Sequence, residues 1–152
     1  MLIVAGALGL PGWWIGGRLA DRRGRRGAGV VFLVGLTVAE LAFFSGGPTM
    51  LWPGFAGMVF CQGGKVTVLR AWATELFPTS FRGAAAGWTV ASGTLGGMAG
   101  LALAGALEEP LGGICPALSL VALAGVLAAA VAYLGLPETG GIELEVTAPE
   151  PG

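Results

Sequence analysis

Five long apolar runs, separated by short polar or charged turns, make up most of this sequence. Each run is about as long as a helix must be to cross ~30 Å of hydrocarbon at ~1.5 Å per residue. The pattern predicts transmembrane helices at approximately 1–17, 27–46, 49–70, 83–107 and 112–136. We therefore expect an all-α membrane protein with about five transmembrane helices in residues 1–136. Residues 137–152 form a polar tail with too little apolar surface to fold as a domain.

The composition favours the same class. Of the 152 residues, 55% are hydrophobic and only 11% are charged, and the mean hydropathy is +0.80. Eight basic and nine acidic residues cannot cover the surface of a soluble domain of this size. Many of the 29 glycines lie within the apolar runs, where they indicate closely packed helices. Gly96 and Gly100 form a G-x-x-x-G pair, which serves either static packing or helix movement.

The distribution of charge among the turns predicts how the chain threads the bilayer. The first turn carries five arginines and the second, SGGPT, carries no charge, so the positive-inside rule makes the first turn cytoplasmic. Alternation then puts the segment 70–82 and the tail in the cytoplasm, and Glu108 and Glu109 outside. We expect the plasma membrane, which is the inner membrane if the source is a bacterium. The five arginines are Arg18, Arg22, Arg23, Arg25 and Arg26.

Several functional classes have no support in the sequence. There is no catalytic triad, phosphate-binding loop or metal-ligand spacing, so we expect no enzyme activity, no metal and no cofactor. Cys61 and Cys115 lie in apolar runs, and we expect both to be small buried hydrophobic residues. The net charge of −1 and the single compact arginine cluster give no indication of nucleic-acid binding.

Three charged motifs occur at the predicted cytoplasmic turns. The first reads G-x-x-x-D-R-x-G-R-R, the second is a glutamate and an arginine separated by six residues, and the third is the P-E-T-G sequence after the last run. A tight turn needs glycine where φ is positive, and an aspartate there can bind a helix N-terminus. Pro78 should end the helix before it, and Thr79 or Ser80 can cap the next. The motif residues are Gly17, Asp21, Arg22, Gly24, Arg25, Arg26, Glu75, Arg82 and Glu138.

These motifs, in this order, resemble those of the major facilitator superfamily, in particular its sugar porters and organic-ion carriers. The P-E-T ending identifies the carboxyl-terminal half, so the runs resemble helices 8–12 and the chain is expected to be a fragment that lacks upstream helices. The resemblance implies a cytoplasmic charge network that latches the two halves of the carrier together. Its members here are Asp21, Arg25, Glu75, Arg82 and Glu138. A purely topological role for the arginines is the alternative.

Charged residues within the runs are candidate binding residues, because each costs ~2.5–3.5 kcal/mol at a helix centre. Gln62 and Lys65 share a helix face and could hold a substrate carboxylate or phosphate, or respond to a coupling proton; Lys65 could instead reach the cytoplasmic interface. For Glu40 a packing or interhelical hydrogen-bond role is favoured over a role in transport, and its direct pairing with Lys65 is doubtful. Trp88 and Ser92 share a second face that could line a cavity.

The resulting hypothesis is a secondary carrier, either a proton symporter or a facilitative transporter, for a sugar or an organic acid or ion, working by alternating access. Its partners are the lipid bilayer, a small organic solute, a proton as candidate coupling ion, and the missing N-terminal helices. The alternative is a small membrane subunit or scaffold that packs through glycine-rich helix faces and transports nothing. The sequence leaves the substrate, coupling ion, direction and oligomeric state open.

Overall fold

The computed structural model describes residues 2–138 and consists there of α-helices joined by short turns. No strand occurs among these residues, so the all-α prediction is confirmed. Short 3-10 turns precede the third and fourth helices. Residues 139–152, and with them most of the predicted tail and the end of the third motif, lie outside the described residues. The helices are α1 (Leu2–Arg23), α2 (Arg25–Ser45), α3 (Leu51–Glu75), α4 (Arg82–Glu108), α5 (Ile114–Ala122) and α6 (Ala124–Gly135).

The helix boundaries differ from the predicted ones mainly at the charged turns. Helix α1 continues through most of the arginine cluster, and the turn to α2 consists of Gly24, whose φ of +83° is costly for any residue but glycine. Helix α3 runs past the predicted boundary at residue 70 to Glu75, and it ends ahead of Pro78, which was predicted to break the helix. The N-cap position of α4 is occupied by Phe81 and not by Thr79 or Ser80.

The fifth apolar run is divided between two helices. Leu123 N–H donates to the Leu120 carbonyl at 3.2 Å, and Val126 N–H donates to the Leu123 carbonyl at 3.0 Å, which is 3-10 geometry. Helices α5 and α6 nevertheless form one apolar segment of 22 residues. Three segments among the described residues are long and apolar enough to cross a membrane, judged by length and composition alone. They are α2, α4 with its preceding turn, and the α5–α6 segment.

Helix α3 packs between α1 and α2, and α2 also contacts α5 and α6, while α4 packs mainly on α5. Contact between α1 and α3 depends on glycine. A Cβ added at Gly16 would lie 2.7 Å from Gly64 Cα, and one added at Gly12 would lie 2.9 Å from the Phe60 carbonyl carbon. Gly12 and Gly16 thus form the G-x-x-x-G pair that brings two backbones together.

The pair predicted from the sequence, Gly96 and Gly100, has a different environment. A Cβ at Gly96 would meet no described atom within 4 Å, and one at Gly100 would meet only Val121 Cγ1, at 3.6 Å. Only 6% of the residues in the most apolar stretch of the α4 segment are buried. Within residues 2–138, this pair therefore mediates no close helix contact, and both glycines line a cavity between α4 and the α5–α6 segment.

The two cysteines also differ in environment. Cys61 is half-buried in α3, and its Sγ would lie 3.0 Å from a Cβ added at Gly35 of α2. Cys115 is exposed near the start of α5. The prediction that both are buried is therefore wrong for Cys115, which lines an open cavity with Ser45 and Leu111, and Cys61 is only partly buried.

Candidate functional site

The helices of the described region bring the three charged motifs to one end of the bundle. That end contains the turn from α1 to α2, the end of α3 and the end of α6, and it holds a core of small and aromatic side chains. The α2–α3 and α4–α5 turns lie near each other and away from this end, since a common cavity is lined by Ser45, Leu111 and Cys115. Helix α4 begins next to the end of α3 and, at ~1.5 Å per residue, extends ~40 Å to Glu108. The core residues are Ala20, Ala28, Phe32, Val68, Trp72 and Ala132.

Arg25 is the central residue of this end. Its Nη2 lies 2.8 Å and its Nε 3.1 Å from Glu75 Oε1, and its Nη1 lies 2.6 Å from Asp21 Oδ1. The side chains of Arg25 and Glu75 are 16% and 17% exposed, whereas that of Asp21 is 68% exposed. The planar guanidinium thus joins a half-buried carboxylate to an exposed one, which lysine's single ammonium could not do in the same geometry.

Glu138 binds the N-terminus of α2. One carboxylate oxygen accepts the Arg25 N–H at 2.7 Å and the other accepts the Arg26 N–H at 3.1 Å. The first N–H groups of a helix have no intrahelical partner and carry partial positive charge, so a carboxylate is stabilising there. The sequence suggested Asp21 for this role, but Asp21 pairs with the Arg25 side chain and the carboxylate at this N-terminus comes from the other end of the chain.

Two further bonds fix the segment that carries Glu138. Arg26 donates from Nη2 to the Leu136 carbonyl at 2.7 Å, and its guanidinium lies 5.5 Å from the centre of the Tyr133 ring. Trp72 donates from Nε1 to the Pro137 carbonyl at 3.3 Å while its ring is buried in the core. We use the term charge network for Asp21, Arg25, Glu75 and Glu138, which these contacts hold together.

The remaining motif residues lie at the edge of the network. Arg82 donates from Nε to the Thr74 carbonyl at 3.0 Å. Arg22 is exposed at the end of α1. Gly17 lies within α1, where an added Cβ would be in ordinary contact with Thr67, at 3.9 Å. Gly24 is the glycine that the turn requires, because a Cβ there would also lie 2.6 Å from Glu138 Cδ.

Gln62 lines an open cavity of about 660 Å³ on the surface formed by α1, α2 and α3. Its walls are mostly apolar and include the rings of Trp13 and Phe55, and Glu40 is the charged residue among them. We call it the Gln62 cavity. Its volume is in the range of ligand pockets, and a few polar groups in an apolar wall are typical of sites for small organic molecules.

Lys65 lines an adjoining cavity of about 510 Å³ between α2, α3 and the helices that follow. Glu40 and Leu36 line both cavities, so we treat the second, the Lys65 cavity, as continuous with the first. Glu40 and Lys65 are half-buried and interact electrostatically, although they form no direct ion pair within the described part of the chain. The structure thus brings together the two charged residues of the predicted second and third spans.

Trp88 and Ser92 line a separate cavity of about 570 Å³ at the start of α4, together with Thr89 and the rings of Phe77 and Phe81. The four residues suggested for substrate binding therefore do not converge. Gln62 and Lys65 belong to adjoining cavities, whereas Trp88 and Ser92 share another.

Two residues of this region were missed or given little weight by the sequence reasoning. Trp72 holds the end of the chain through its indole N–H, and a tryptophan near the end of a predicted span carries no signal that distinguishes it from an interfacial anchor. Glu40 was singled out as a charge within the second apolar run, but a packing or interhelical hydrogen-bond role was favoured for it over transport.

Two curated proteins are similar to this chain. It is 32% identical over 138 residues to the provisionally named niacin/nicotinamide transporter NiaP of Bacillus subtilis (strain 168), a match that covers 90% of this chain and 34% of that protein. It is 32% identical over 108 residues to a gallate transporter of Pseudomonas putida, covering 68% of this chain and 23% of that protein. No family model and no solved structure matches the chain.

The chain spans about a third of one relative and about a quarter of the other. Both relatives are named as transporters.

Proposed function

We propose that this chain forms the carboxyl-terminal half of a major facilitator carrier that moves a small organic acid across the plasma membrane by alternating access. One observation carries the proposal. The three charged motifs occur in the same order as the motifs of that superfamily and are far apart in the sequence. Residues from all three meet in the charge network at one end of the bundle. We place this end, with the tail that follows it, on the cytoplasmic side because it holds the arginine cluster.

The proposed substrate is an aromatic carboxylic acid and not a sugar. Niacin and gallate, which occur in the names of the two relatives, are both aromatic acids, and the first name also includes nicotinamide, the uncharged amide of niacin. The Gln62 cavity offers Trp13 and Phe55 to a ring, and the adjoining cavity offers the ammonium group of Lys65 to a carboxylate. A sugar would need many more hydrogen-bonding partners than these mostly apolar walls contain. Gln62 is the polar residue that would orient the ligand between the aromatic rings of the Gln62 cavity and the ammonium group of Lys65.

The charge network has two roles in this proposal. Arg25 and Glu75 are both half-buried and lie within this chain, so they keep the cytoplasmic end of this bundle rigid. Asp21 is 68% exposed and is therefore the member best placed to pair with a cation of a second bundle. Exposed pairs contribute only ~0–1 kcal/mol each, which suits a contact that must open in every transport cycle.

The exposed apolar face of α4, which includes Leu95, Met98 and Leu101, is proposed to pack against the helices that precede this chain in the whole carrier. Only 6% of the residues in the most apolar stretch of the α4 segment are buried within this chain. The chain corresponds to 34% of the length of one relative, so a whole carrier has further helices that could cover α4. A non-transporting subunit would also cover this face, so transport itself must be measured to distinguish the two functions.

Uptake of radiolabelled nicotinate and gallate should be measured in proteoliposomes containing this chain together with the upstream helices. We expect uptake of at least one of these acids well above that of glucose, and none with the chain alone, because the second wall of the pathway is then missing. Lys65→Gln should abolish uptake, whereas Lys65→Arg should retain part of it. Uptake by the isolated chain, or no uptake of any acid by the complete assembly, would refute the proposal.

A further inference from the structure

Glu40 and Lys65 are the charged residues of the Lys65 cavity, and they line it from adjacent helices. On α2, Thr37 lines the same cavity as Glu40, and α3 contributes Lys65. The opposite wall, from α4, α5 and α6, is formed by small and aliphatic residues such as Gly96 and Val121. Apart from Thr37, the two charges therefore have only apolar residues around them in the lining of this cavity.

The groups that could exchange protons with Glu40 are few. Lys65 is the charged residue facing it from α3, and Gln62, on the same helix, is neutral. Helix α1 contributes Leu10 and Trp13 to the shared surface, and the residues that α4, α5 and α6 contribute are apolar. The Cys61 thiol of α3 is outside the described walls of both cavities. Among the described residues, Glu40 and Lys65 therefore form an isolated pair of opposite charges.

A bound carboxylate changes the charge balance of this pair. Without ligand, the carboxylate of Glu40 and the ammonium of Lys65 offset each other, which lowers the cost of each charge within the membrane. A ligand carboxylate that binds Lys65 adds a second negative charge beside one positive charge. Two carboxylates that share a site favour protonation of one of them.

We propose that Glu40 is the proton-accepting residue of this site, so that one proton enters with each carboxylate ligand. The ligand anion binds the ammonium of Lys65, Glu40 loses that electrostatic partner, and one Glu40 carboxylate oxygen forms an O–H bond with a proton from the solvent. No bond of the ligand is formed or broken, and the ligand charge and the proton cancel. The inference rests on the proposed function, because it requires the ligand to be a carboxylate.

The test measures the affinity of the chain in lipid nanodiscs for nicotinate and for nicotinamide, its uncharged amide, between about pH 6 and pH 8. If Glu40 takes up one proton when nicotinate binds, the Kd for nicotinate should rise by up to ~10-fold for each unit by which the pH is increased. The Kd for nicotinamide should stay constant. Glu40→Gln should bind nicotinate with little dependence on pH, and Glu109→Gln, at an exposed position in the α4–α5 turn, should behave as the unmodified chain.

The outcomes separate this inference from the proposed function. Binding of nicotinate with the same pH dependence in Glu40→Gln would overturn the role of Glu40 and leave the carrier proposal standing. No binding of nicotinate, gallate or nicotinamide by a folded chain would overturn the proposed ligand site, and the inference with it. If Glu40→Gln fails to fold, calorimetry of the unmodified chain in buffers of different ionisation enthalpy decides, because the absence of proton uptake with nicotinate contradicts the proposal.

Discussion

Arg25→Ala should destabilise the bundle by roughly 2–3 kcal/mol, because it removes the ion-pair partner of a half-buried carboxylate. Glu75, 17% exposed, would lose three hydrogen bonds from the guanidinium in a poorly hydrated position. Arg25→Lys should recover only part of the loss, since an ammonium cannot bind Glu75 and Asp21 in the same geometry. The measurement is reversible unfolding of the chain in mixed micelles.

Arg22 provides the matched control, since it belongs to the same arginine cluster and is exposed. Arg22→Ala should change the free energy of unfolding by less than ~0.5 kcal/mol. In a double-mutant cycle, Arg25→Ala and Glu75→Ala should show a coupling of roughly 1–3 kcal/mol. Additive effects of these two substitutions would mean that the contact contributes nothing to the stability of this end.

Gly16→Ala should separate α1 from α3 and destabilise the bundle by roughly 1–3 kcal/mol. The added Cβ would lie 2.7 Å from Gly64 Cα and 3.1 Å from its carbonyl oxygen, and backbone atoms cannot move aside as the tip of a side chain can. The two helices must therefore shift relative to each other. Unfolding in mixed micelles measures the loss, and crosslinking between cysteines placed on α1 and α3 measures the separation.

Gly93→Ala is the control for this substitution. Gly93 lies within α4, and an added Cβ there would meet no described atom within 4 Å. Both substitutions gain the same ~1 kcal/mol of helix propensity, so the difference between them isolates the packing of α1 on α3. Equal effects at the two positions would show that α1 and α3 do not pack as described.

The helices and the meeting of the motifs could be predicted from the sequence. Apolar length located the helices, and Pro78 located the break after α3, because these signals are local. The cluster of Asp21, Glu75 and Glu138 near Arg25 agrees with the threading that the turn charges predict, since alternate turns of a helical bundle lie at the same end.

The helix contacts could not be predicted, because they depend on how each helix is rotated about its axis. With 29 glycines in the chain, spacing alone did not distinguish the packed pair, Gly12 and Gly16, from Gly96 and Gly100. Local capping signals also gave no indication of the role of Glu138, whose contact with the α2 N-terminus spans 113 residues of sequence.

The depth at which Lys65 lies relative to Glu40 could not be predicted, because it depends on where α3 ends. The sequence placed the end of the third span near residue 70, which left Lys65 only a turn or two from the interface and made its pairing with Glu40 doubtful. Helix α3 continues to Glu75, so Lys65 is ten residues from its end, or ~15 Å along the axis. An error of five residues in one boundary therefore understated the depth of Lys65, whereas the doubt about a direct Glu40–Lys65 ion pair was correct, because none forms within residues 2–138.

The measurement that tests the account most directly is the side of the membrane on which each end of the bundle emerges. Single cysteines should replace Arg22 and Glu109 in a chain whose Cys61 and Cys115 are changed to alanine, and intact cells should be treated with a thiol reagent that cannot cross the membrane. We predict labelling at position 109 in intact cells, and at position 22 only after the cells are opened. Labelling of both positions from the same side would contradict the threading on which the proposed transport depends.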